Sequence, residues 1–146
     1  MSADGTALWV MLQSAAEHDG GASSSTRRNT RLLKYALTRD QKKQGDGNVE
    51  VAYEAEYVVP LPTFENAKGK TRVAAQSEIL AVSETQLLVL ARDGDVGRGQ
   101  DDPLSRYRHV DVVDVSGATD IKGQRFDDGV NGNVTVGGIE EPCELV

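Results

Sequence analysis

Short apolar runs separated by polar turns recur along this chain and predict β-strands more than helices. Ala7 to Leu12 (ALWVML) follows the turn signal Asp4-Gly5, which is typical of a buried strand that leaves a hairpin. Arg31 to Leu37 (RLLKYAL) fits either a strand or a helical turn, because a short apolar run does not decide between the two periods. Ala15 to Asn29 is polar, with Gly20-Gly21 and a serine run, and predicts a long loop.

Val49 to Val59 has the clearest pattern in the sequence, a period of two. It predicts a strand with one buried face and one solvent-exposed face. Pro60 and Pro62 are predicted to end this strand. The predicted buried face consists of Val49, Val51, Tyr53, Ala55, Tyr57 and Val59, and the predicted wet face of Glu50, Glu54 and Glu56.

Three further strands are predicted in the second half: Ser77 to Val82, Gln86 to Ala91 and His109 to Val115. Ser83-Glu84-Thr85 is the connecting turn of the first two, so we expect them to be adjacent and antiparallel.

An internal repeat links the two halves. ALWVML superposes on QLLVLA with a shift of 79 residues, and RLLKYAL superposes on HVDVVDV with a shift of 78. Two nearly equal shifts indicate one repeated unit, lengthened by the loops Ala15 to Asn29 and Pro60 to Ala75. Because so little precedes Asp4-Gly5, we expect the chain to begin inside a hairpin whose first strand is missing, so that Ala7 to Leu12 lacks a partner on one side or borrows one from a distant segment.

Composition and charge narrow the class of function. Aromatic residues make up only 5% and glycine accounts for 15 residues, so the core depends on valine and leucine and the turns are many. The net charge of −7 argues against nucleic-acid binding. Arg27, Arg28 and Arg31, like Lys42 and Lys43, are interpreted as solvated loop charges.

No segment has the pattern of a membrane span or a signal peptide. The single cysteine, Cys143, cannot form an internal disulfide and is expected to be a free thiol in the tail.

Three segments carry a family resemblance: Ser77-Glu78-Ile79, the strand end LLVLARDG from Leu87, and VDVSGATDI from Val113. Over about residues 8–121 the sequence resembles the phytase-like family, named for the esterase-like activity of phytase. The resemblance implies an all-β, partial β-propeller of antiparallel four-stranded blades, one blade plus part of another, over residues 1–121. Residues 122–146 form a Gly/Asp-rich tail that the pattern does not assign. A closed ring of even four blades needs about twice as many residues at this repeat length.

The candidate catalytic residues are Glu78, Arg92 and Asp93, with Gln76 and Ser77 as weaker candidates. In a propeller the innermost strand lines the channel, so an acid such as Glu78 there is costly unless it is hydrated, paired or metal-bound. Arg92 suits a phosphate or carboxylate through its planar fork of donors. Because strand side chains alternate, only one of Arg92 and Asp93 can face the channel. A structural carboxylate and a strand-end ion pair remain the alternatives.

The acidic glycine segment DGDVGRGQDD contains the candidate calcium ligands Asp93, Asp95 and Asp101, with Asp102 beside them. Its spacing departs from the helix-loop-helix calcium pattern, and a solvated acidic turn is the alternative.

Two further patterns are weaker. His109 with Arg106 and Arg108 forms a cationic stretch that either attracts an anionic ester or pairs with local acids, whereas His18 has no evident partner. Asn133-Val134-Thr135 matches the N-glycosylation acceptor pattern, which matters only in a secreted protein.

By resemblance, the expected function is that of an extracellular hydrolase acting on small phosphate or ester substrates, with calcium assistance as one version of the mechanism. The alternatives are a non-catalytic propeller that binds a ligand and an inactive truncated fragment.

Overall fold

Antiparallel strands are the dominant secondary structure of the described residues, which confirms the predicted all-β class. The computed structural model describes residues 1–39, 49–94, 104–128, 132–134 and 142–145. Within these residues the strands form two larger sheets and one small hairpin. None of the described helices is long and apolar enough to cross a membrane.

The first sheet contains β1 (Ala7–Met11), β2 (Asn29–Arg39) and β3 (Val49–Pro60), in that order. A tight turn leads into β1: the Ser2 amide donates to the Ala7 carbonyl at 2.8 Å, and Gly5 takes a positive φ of 73°. β1 pairs only with β2 among the described strands. On its other side the Ala7 amide bonds to the Ser2 hydroxyl at 2.8 Å, and the Gln76 side chain donates to the Met11 carbonyl at 2.9 Å, so a distant segment supplies part of the missing pairing, as the predicted alternative allows. The Arg31 to Leu37 run is a strand, so its helical alternative is wrong.

The two predicted loops contain short ordered elements. A 3-10 turn, Glu17–Asp19, interrupts the polar stretch between β1 and β2. A hairpin of β4 (Thr63–Glu65) and β5 (Thr71–Val73) fills the stretch after Pro60, where the sequence predicted only a loop.

The second sheet contains β6 (Ala75–Ala81), β7 (Gln86–Arg92), β8 (Arg108–Asp114) and β9 (Glu144–Leu145), in that order. β6 and β7 are antiparallel neighbours joined through Ser83 to Thr85, as predicted. This sheet has the four antiparallel strands of one propeller blade.

Strand register confirms the internal repeat. In the first sheet Leu8 lies opposite Tyr35 and Val10 opposite Leu33. Their counterparts in the second sheet, shifted by 79 residues in β7 and 78 in β8, are also opposite each other: Leu87 with Val113 and Val89 with Asp111. β1 and β2 therefore correspond to β7 and β8, and among the described strands nothing in the first sheet corresponds to β6. The fold is a partial propeller of one full blade and part of another.

The main core lies between the facing sides of the two sheets, called here their inner faces. Because strand side chains alternate, each sheet also has an outer face that points away from this core. The main core contains Trp9, Met11, Leu32 and Val59 from the first sheet, Ala81, Leu87, Val89, Val113 and Val115 from the second sheet and its end, and Leu61, Val73 and Cys143.

One prediction about β3 is wrong, because its alternation reverses halfway. Lys34 lies opposite Ala55 whereas Tyr35 lies opposite Tyr53, so Glu54 is an extra residue, a β-bulge. The bulge places Tyr53 and Val51 on the face opposite to Ala55. Val51 is consequently exposed. Glu56 lies on the predicted side of β3 but is buried rather than solvent-exposed, because the segment that contains Ile121 and Phe126 packs on that face.

The region after residue 121, which the pattern did not assign, contributes to the interior. Phe126 and Val134 pack with Val58 and Ile121 in a second cluster against the outer face of the first sheet. Cys143 belongs to the main core, and its amide donates to the Val58 carbonyl at 2.9 Å.

Candidate functional site

Glu78 and Arg92 lie on the adjacent antiparallel strands β6 and β7, as predicted, but Glu78 is the central residue of β6 and Arg92 alone is at a strand end. Glu78 is opposite Leu90, and Arg92, the last residue of β7, is opposite Ala75. Ser77 falls at an irregularity in the register between Gln76 and Glu78.

Both side chains are exposed on the outer face of the second sheet. Leu90 and Arg92 alternate with Val89 and Ala91, which are buried in the interior. Arg92 and Asp93 therefore point opposite ways, as predicted, with Arg92 in solvent and Asp93 buried.

Asp93 is 1% exposed, and hydrogen bonds occupy both of its oxygens. The Ser105 hydroxyl donates to one oxygen at 2.8 Å, and the backbone amides of Arg106 and Tyr107 donate to the other. Burial favours the neutral acid, but these donors outweigh burial and lower the pKa of Asp93. The geometry supports a role for Asp93 in tying the start of β8 to the end of β7.

The other predicted calcium ligands, Asp95 and Asp101, and the neighbouring Asp102 lie outside the described residues. Within the described residues, no group of acidic, histidine or cysteine side chains could hold a metal ion. A calcium site at Asp93 therefore remains a prediction. The hydrogen-bond donors that already point at both Asp93 oxygens compete with a cation for the same positions.

Two arginines stand side by side where β7 ends and β8 begins. Arg92 is directly opposite Arg108, and both side chains are exposed. In the described part of the chain neither guanidinium forms an ion pair with a carboxylate. Like charges directly opposite on a sheet repel each other, so this pair is a local cationic site in a chain with a net charge of −7.

The neighbouring histidine faces the other way. His109 lies opposite Ala91 and contacts the Tyr107 ring, with 4.4 Å between the ring centroids. The Tyr107 hydroxyl donates to both Asp111 oxygens at 3.2 Å, and the pKa of Tyr107 is raised to about 12 by burial and by Asp111. Asp111 thus bonds to Tyr107, so the expected pairing of His109 with this acid is not what the geometry shows.

A buried ionic cluster was missed by the sequence interpretation, which placed Arg31 among solvated loop charges. Arg31 is buried in β2 and donates to both Asp19 oxygens at 2.6 and 3.0 Å, and to Glu56 at 3.0 Å. It also donates to the Phe126 carbonyl at 3.1 Å. Tyr53 donates to the other Glu56 oxygen at 2.5 Å. We call Asp19, Arg31, Tyr53 and Glu56 the Arg31 cluster.

The electrostatics of the Arg31 cluster favour its charged form. Hydrogen bonding to Asp19 is the largest effect that raises the pKa of Arg31. Burial opposes ionisation of Asp19, but Arg31 and the Val134 amide outweigh it and lower the pKa of Asp19. Burial, and then the bond to Glu56, raises the pKa of Tyr53. The cluster joins the 3-10 turn, β2 and β3 to Phe126 and Val134, and its saturated hydrogen bonds are typical of a structural role.

Two clefts formed by the described residues are each lined by more acids than bases. One, of about 570 Å³, lies beside the start of β1 and the β6–β7 turn; among its charged lining residues are Asp4, Lys34, Glu54 and Glu84. Lys34 is bonded to Glu54 there at 3.0 Å. The other, of about 590 Å³, has Arg28, Asp114 and Glu144 among its lining residues. Neither cleft suits an anionic substrate as well as the Arg92–Arg108 pair does.

The remaining candidates lie apart from these sites. Cys143 is buried, and burial raises the pKa of its thiol to about 12, so it is not an exposed tail thiol. His18 is 3.8 Å from Asp19, a partner that the sequence did not indicate. The Asn133 side chain donates to the His18 carbonyl. The third residue of that glycosylation pattern, Thr135, lies outside the described residues.

Comparison with known proteins decides the family. The sequence model of the phytase-like family, described as the esterase-like activity of phytase, matches residues 1–136. The chain belongs to the phytase-like family. A relative from Arthroderma benhamiae, described as an uncharacterized secreted protein, is 35% identical over 133 residues. The alignment covers 87% of this phytase-like chain and 24% of that relative, so the chain spans about a quarter of the relative's length. No solved structure matches the chain.

Proposed function

We propose that this chain is the substrate-binding sector of a secreted phytase-like ester hydrolase, and that Arg92 and Arg108 bind the anionic group of a phosphate ester. The observation that supports the proposal is the exposed, directly opposed arginine pair. Family membership supports the reaction class, and the secreted relative supports an extracellular location.

The arginine pair suits a phosphate for two reasons. Each guanidinium offers a planar fork of donors that matches phosphate or carboxylate oxygens. A bound anion also relieves the repulsion between two like charges on adjacent strands. The acidic linings of both clefts make those surfaces poorer sites for the same ligand.

Glu78 is the candidate general base. It is exposed on the same outer face, opposite Leu90, the outer-face residue that precedes Arg92 in the alternation. In the proposed reaction a water molecule gives a proton to the Glu78 carboxylate while its oxygen bonds to phosphorus. The phosphorus–oxygen bond to the alcohol breaks, and Glu78 returns the proton to the departing alkoxide. Arg92 and Arg108 stabilise the negative charge that develops on the phosphoryl oxygens.

Binding and turnover are tested separately. Titration with inorganic phosphate, followed by calorimetry, should give saturable binding to the wild-type chain. Arg92→Gln and Arg108→Gln should each weaken it by about tenfold to a hundredfold, the loss of one charge-assisted hydrogen bond. Arg72→Gln is the matched control, because Arg72 is a strand arginine in the separate β4–β5 hairpin. Unchanged binding in both variants would reject the arginine site.

Hydrolysis is followed with p-nitrophenyl phosphate and p-nitrophenyl acetate, with and without chelator. Glu78→Gln should retain phosphate binding and lose turnover. If the wild-type chain binds phosphate but hydrolyses neither ester, the hydrolase is rejected in favour of the non-catalytic binding module. Loss of turnover with chelator alone would show that a metal ion takes part.

A further inference from the structure

An apolar strip runs along the outer face of the second sheet, on the same side as Arg92 and Arg108. Its five members come from three neighbouring strands: Leu80, Leu88, Leu90, Val110 and Val112. The most exposed of them are Val110 and Leu80, which are 60% and 58% exposed. Exposed apolar surface with a polar border is typical of a place where a ligand or a partner binds.

The strand register shows where the apolar strip ends. Four pairs of opposite residues follow one another on this face of β7 and β8: Arg92 with Arg108, Leu90 with Val110, Leu88 with Val112, and Gln86 with Asp114. In the last pair the Gln86 amide group donates to the Asp114 carboxylate at 2.9 Å. The strip therefore has two cations at one end and a hydrogen-bonded polar pair about 20 Å away at the other, given the rise of a strand.

Glu78 lies beside the boundary between the cations and the apolar strip. It is opposite Leu90, which belongs to the outer pair next to Arg92. A ligand with its anionic group on the arginines and its apolar part on the strip therefore places the bond that joins the two parts close to the Glu78 carboxylate.

The outer face of the first sheet is also apolar, but its arginine is not free to bind a ligand. Leu8 and Val10 are 36% and 39% exposed on that face. Arg31, which belongs to the same face, is buried and bonded to Asp19 and Glu56. Of the two outer faces, that of the second sheet thus combines exposed arginines with exposed apolar side chains, and an anionic ligand with an apolar part fits it better.

We propose that the ester bound at Arg92 and Arg108 is an alkyl phosphate monoester, an anionic amphiphile whose single hydrocarbon chain lies on the apolar strip. This inference rests on the proposed function, because it assigns the alcohol that leaves from the same arginine site. The phosphate contacts the two arginines, the ester oxygen lies beside Glu78, and the chain covers Leu90 and Val110. Complete burial of one methylene group raises affinity about fourfold, and burial of one side of it about twofold.

The test measures how binding depends on the length of the hydrocarbon chain. The probes are methyl-, butyl-, hexyl- and octylphosphonate, which keep the anionic group and have a phosphorus–carbon bond that is not hydrolysed. Binding to the chain is followed by calorimetry, at concentrations below those at which the probes form micelles. We expect the dissociation constant to fall about twofold to fourfold per added methylene group.

Two substitutions separate the anionic group from the hydrocarbon chain. Arg92→Gln should weaken all four probes by the same factor, because it removes a contact to the anionic group. Val110→Thr keeps the shape of the side chain but replaces a methyl group with a hydroxyl group, so it should weaken octylphosphonate about fourfold and leave methylphosphonate unchanged. Val10→Thr, the same change on the outer face of the first sheet, is the matched control and should bind all four probes like wild type. Trp9 fluorescence checks that the variants are folded, since Trp9 is buried in the core.

Failure of this inference and failure of the proposed function give different results. If Arg92→Gln weakens methylphosphonate but affinity does not rise with chain length, the alkyl chain is wrongly assigned and the arginine site stands. A rise that Val110→Thr leaves unchanged, or that Val10→Thr reduces equally, would also overturn the inference. The apolar strip would then be assigned to contacts with other parts of a longer protein. Binding that is absent for every probe, or that does not respond to Arg92→Gln, would reject the arginine site and this inference with it.

Discussion

Replacing Arg31 with leucine removes the cation of a buried cluster and leaves its two acids. The Asp19 side chain is 0% exposed and that of Glu56 is 4% exposed, so water cannot replace the lost guanidinium without opening the structure. Breaking a buried pair by removing one partner typically costs about 3–5 kcal/mol. The total stability of a domain is about 5–15 kcal/mol. We therefore expect Arg31→Leu to lose a large share of the free energy of unfolding.

The assay is urea unfolding followed by fluorescence of Trp9, the single tryptophan of the chain, which is buried in the main core. With an m-value of about 2 kcal/mol per molar urea, a loss of about 4 kcal/mol lowers the midpoint by about 2 M. Arg72→Leu is the control; Arg72 bonds only to the adjacent Thr71 carbonyl in the described structure, at 3.2 Å. Its effect should stay within about 0.5 kcal/mol.

The loss should also depend on pH, with a sign set by Asp19. Burial opposes its ionisation, yet hydrogen bonds from Arg31 and the Val134 amide lower its pKa below the ordinary value. A lowered pKa means that Asp19 contributes stability above its unfolded-state pKa of about 3.9, and that this stability is lost as pH falls through the folded-state pKa. In Arg31→Leu the unpaired acids take up protons more readily, so the gap to wild type should narrow toward acidic pH. A midpoint shift similar to that of Arg72→Leu, or a gap that widens on acidification, would refute this reasoning.

Four further outcomes are expected. Asp93→Ala should destabilise the chain by about 2–3 kcal/mol in the same urea assay, because three donors lose their acceptor. Millimolar calcium should leave the thermal midpoint of the wild-type chain unchanged relative to chelator, and a clear rise in that midpoint would instead support metal ligation. Cys143 should react with a thiol reagent near pH 8 only as the chain unfolds, since burial raises its pKa to about 12; rapid labelling of the folded chain would contradict that burial. In hydrogen exchange, the Trp9 and Met11 amides of β1, which face away from β2, should exchange faster than the amides of the central strand β7, and equal protection would show that β1 has a further partner.

The repeated unit followed from the sequence because its signal is local. A period of two and turn residues between apolar runs depend only on neighbouring side chains. The same local signals placed Glu78 and Arg92 on two adjacent antiparallel strands and gave Arg92 and Asp93 opposite directions. The directly opposed Arg92 and Arg108 needed one more fact, the pairing register of β7 with β8.

The predictions from the sequence were wrong where residues far along the chain determine whether a side chain is buried or exposed. Arg31 is buried because Asp19 and Glu56, which are far from it in sequence, surround it, and no local pattern shows that a charge will be paired. The bulge at Glu54 moves Val51 to the outer face of β3, whereas Glu56 lies on that face as the pattern predicted and is buried there by the distant segment that contains Ile121 and Phe126. Cys143 is far along the chain from the strands that bury it.

For this protein, then, the sequence alone determined the all-β class and the repeated unit with its shift of 79 and 78 residues, because alternation and turns are properties of adjacent residues. Only the tertiary structure decided which charges are buried, which faces remain open and what the region after residue 121 contributes. Burial and pairing result from contacts between segments separated along the chain, and folding alone sets the geometry of those contacts.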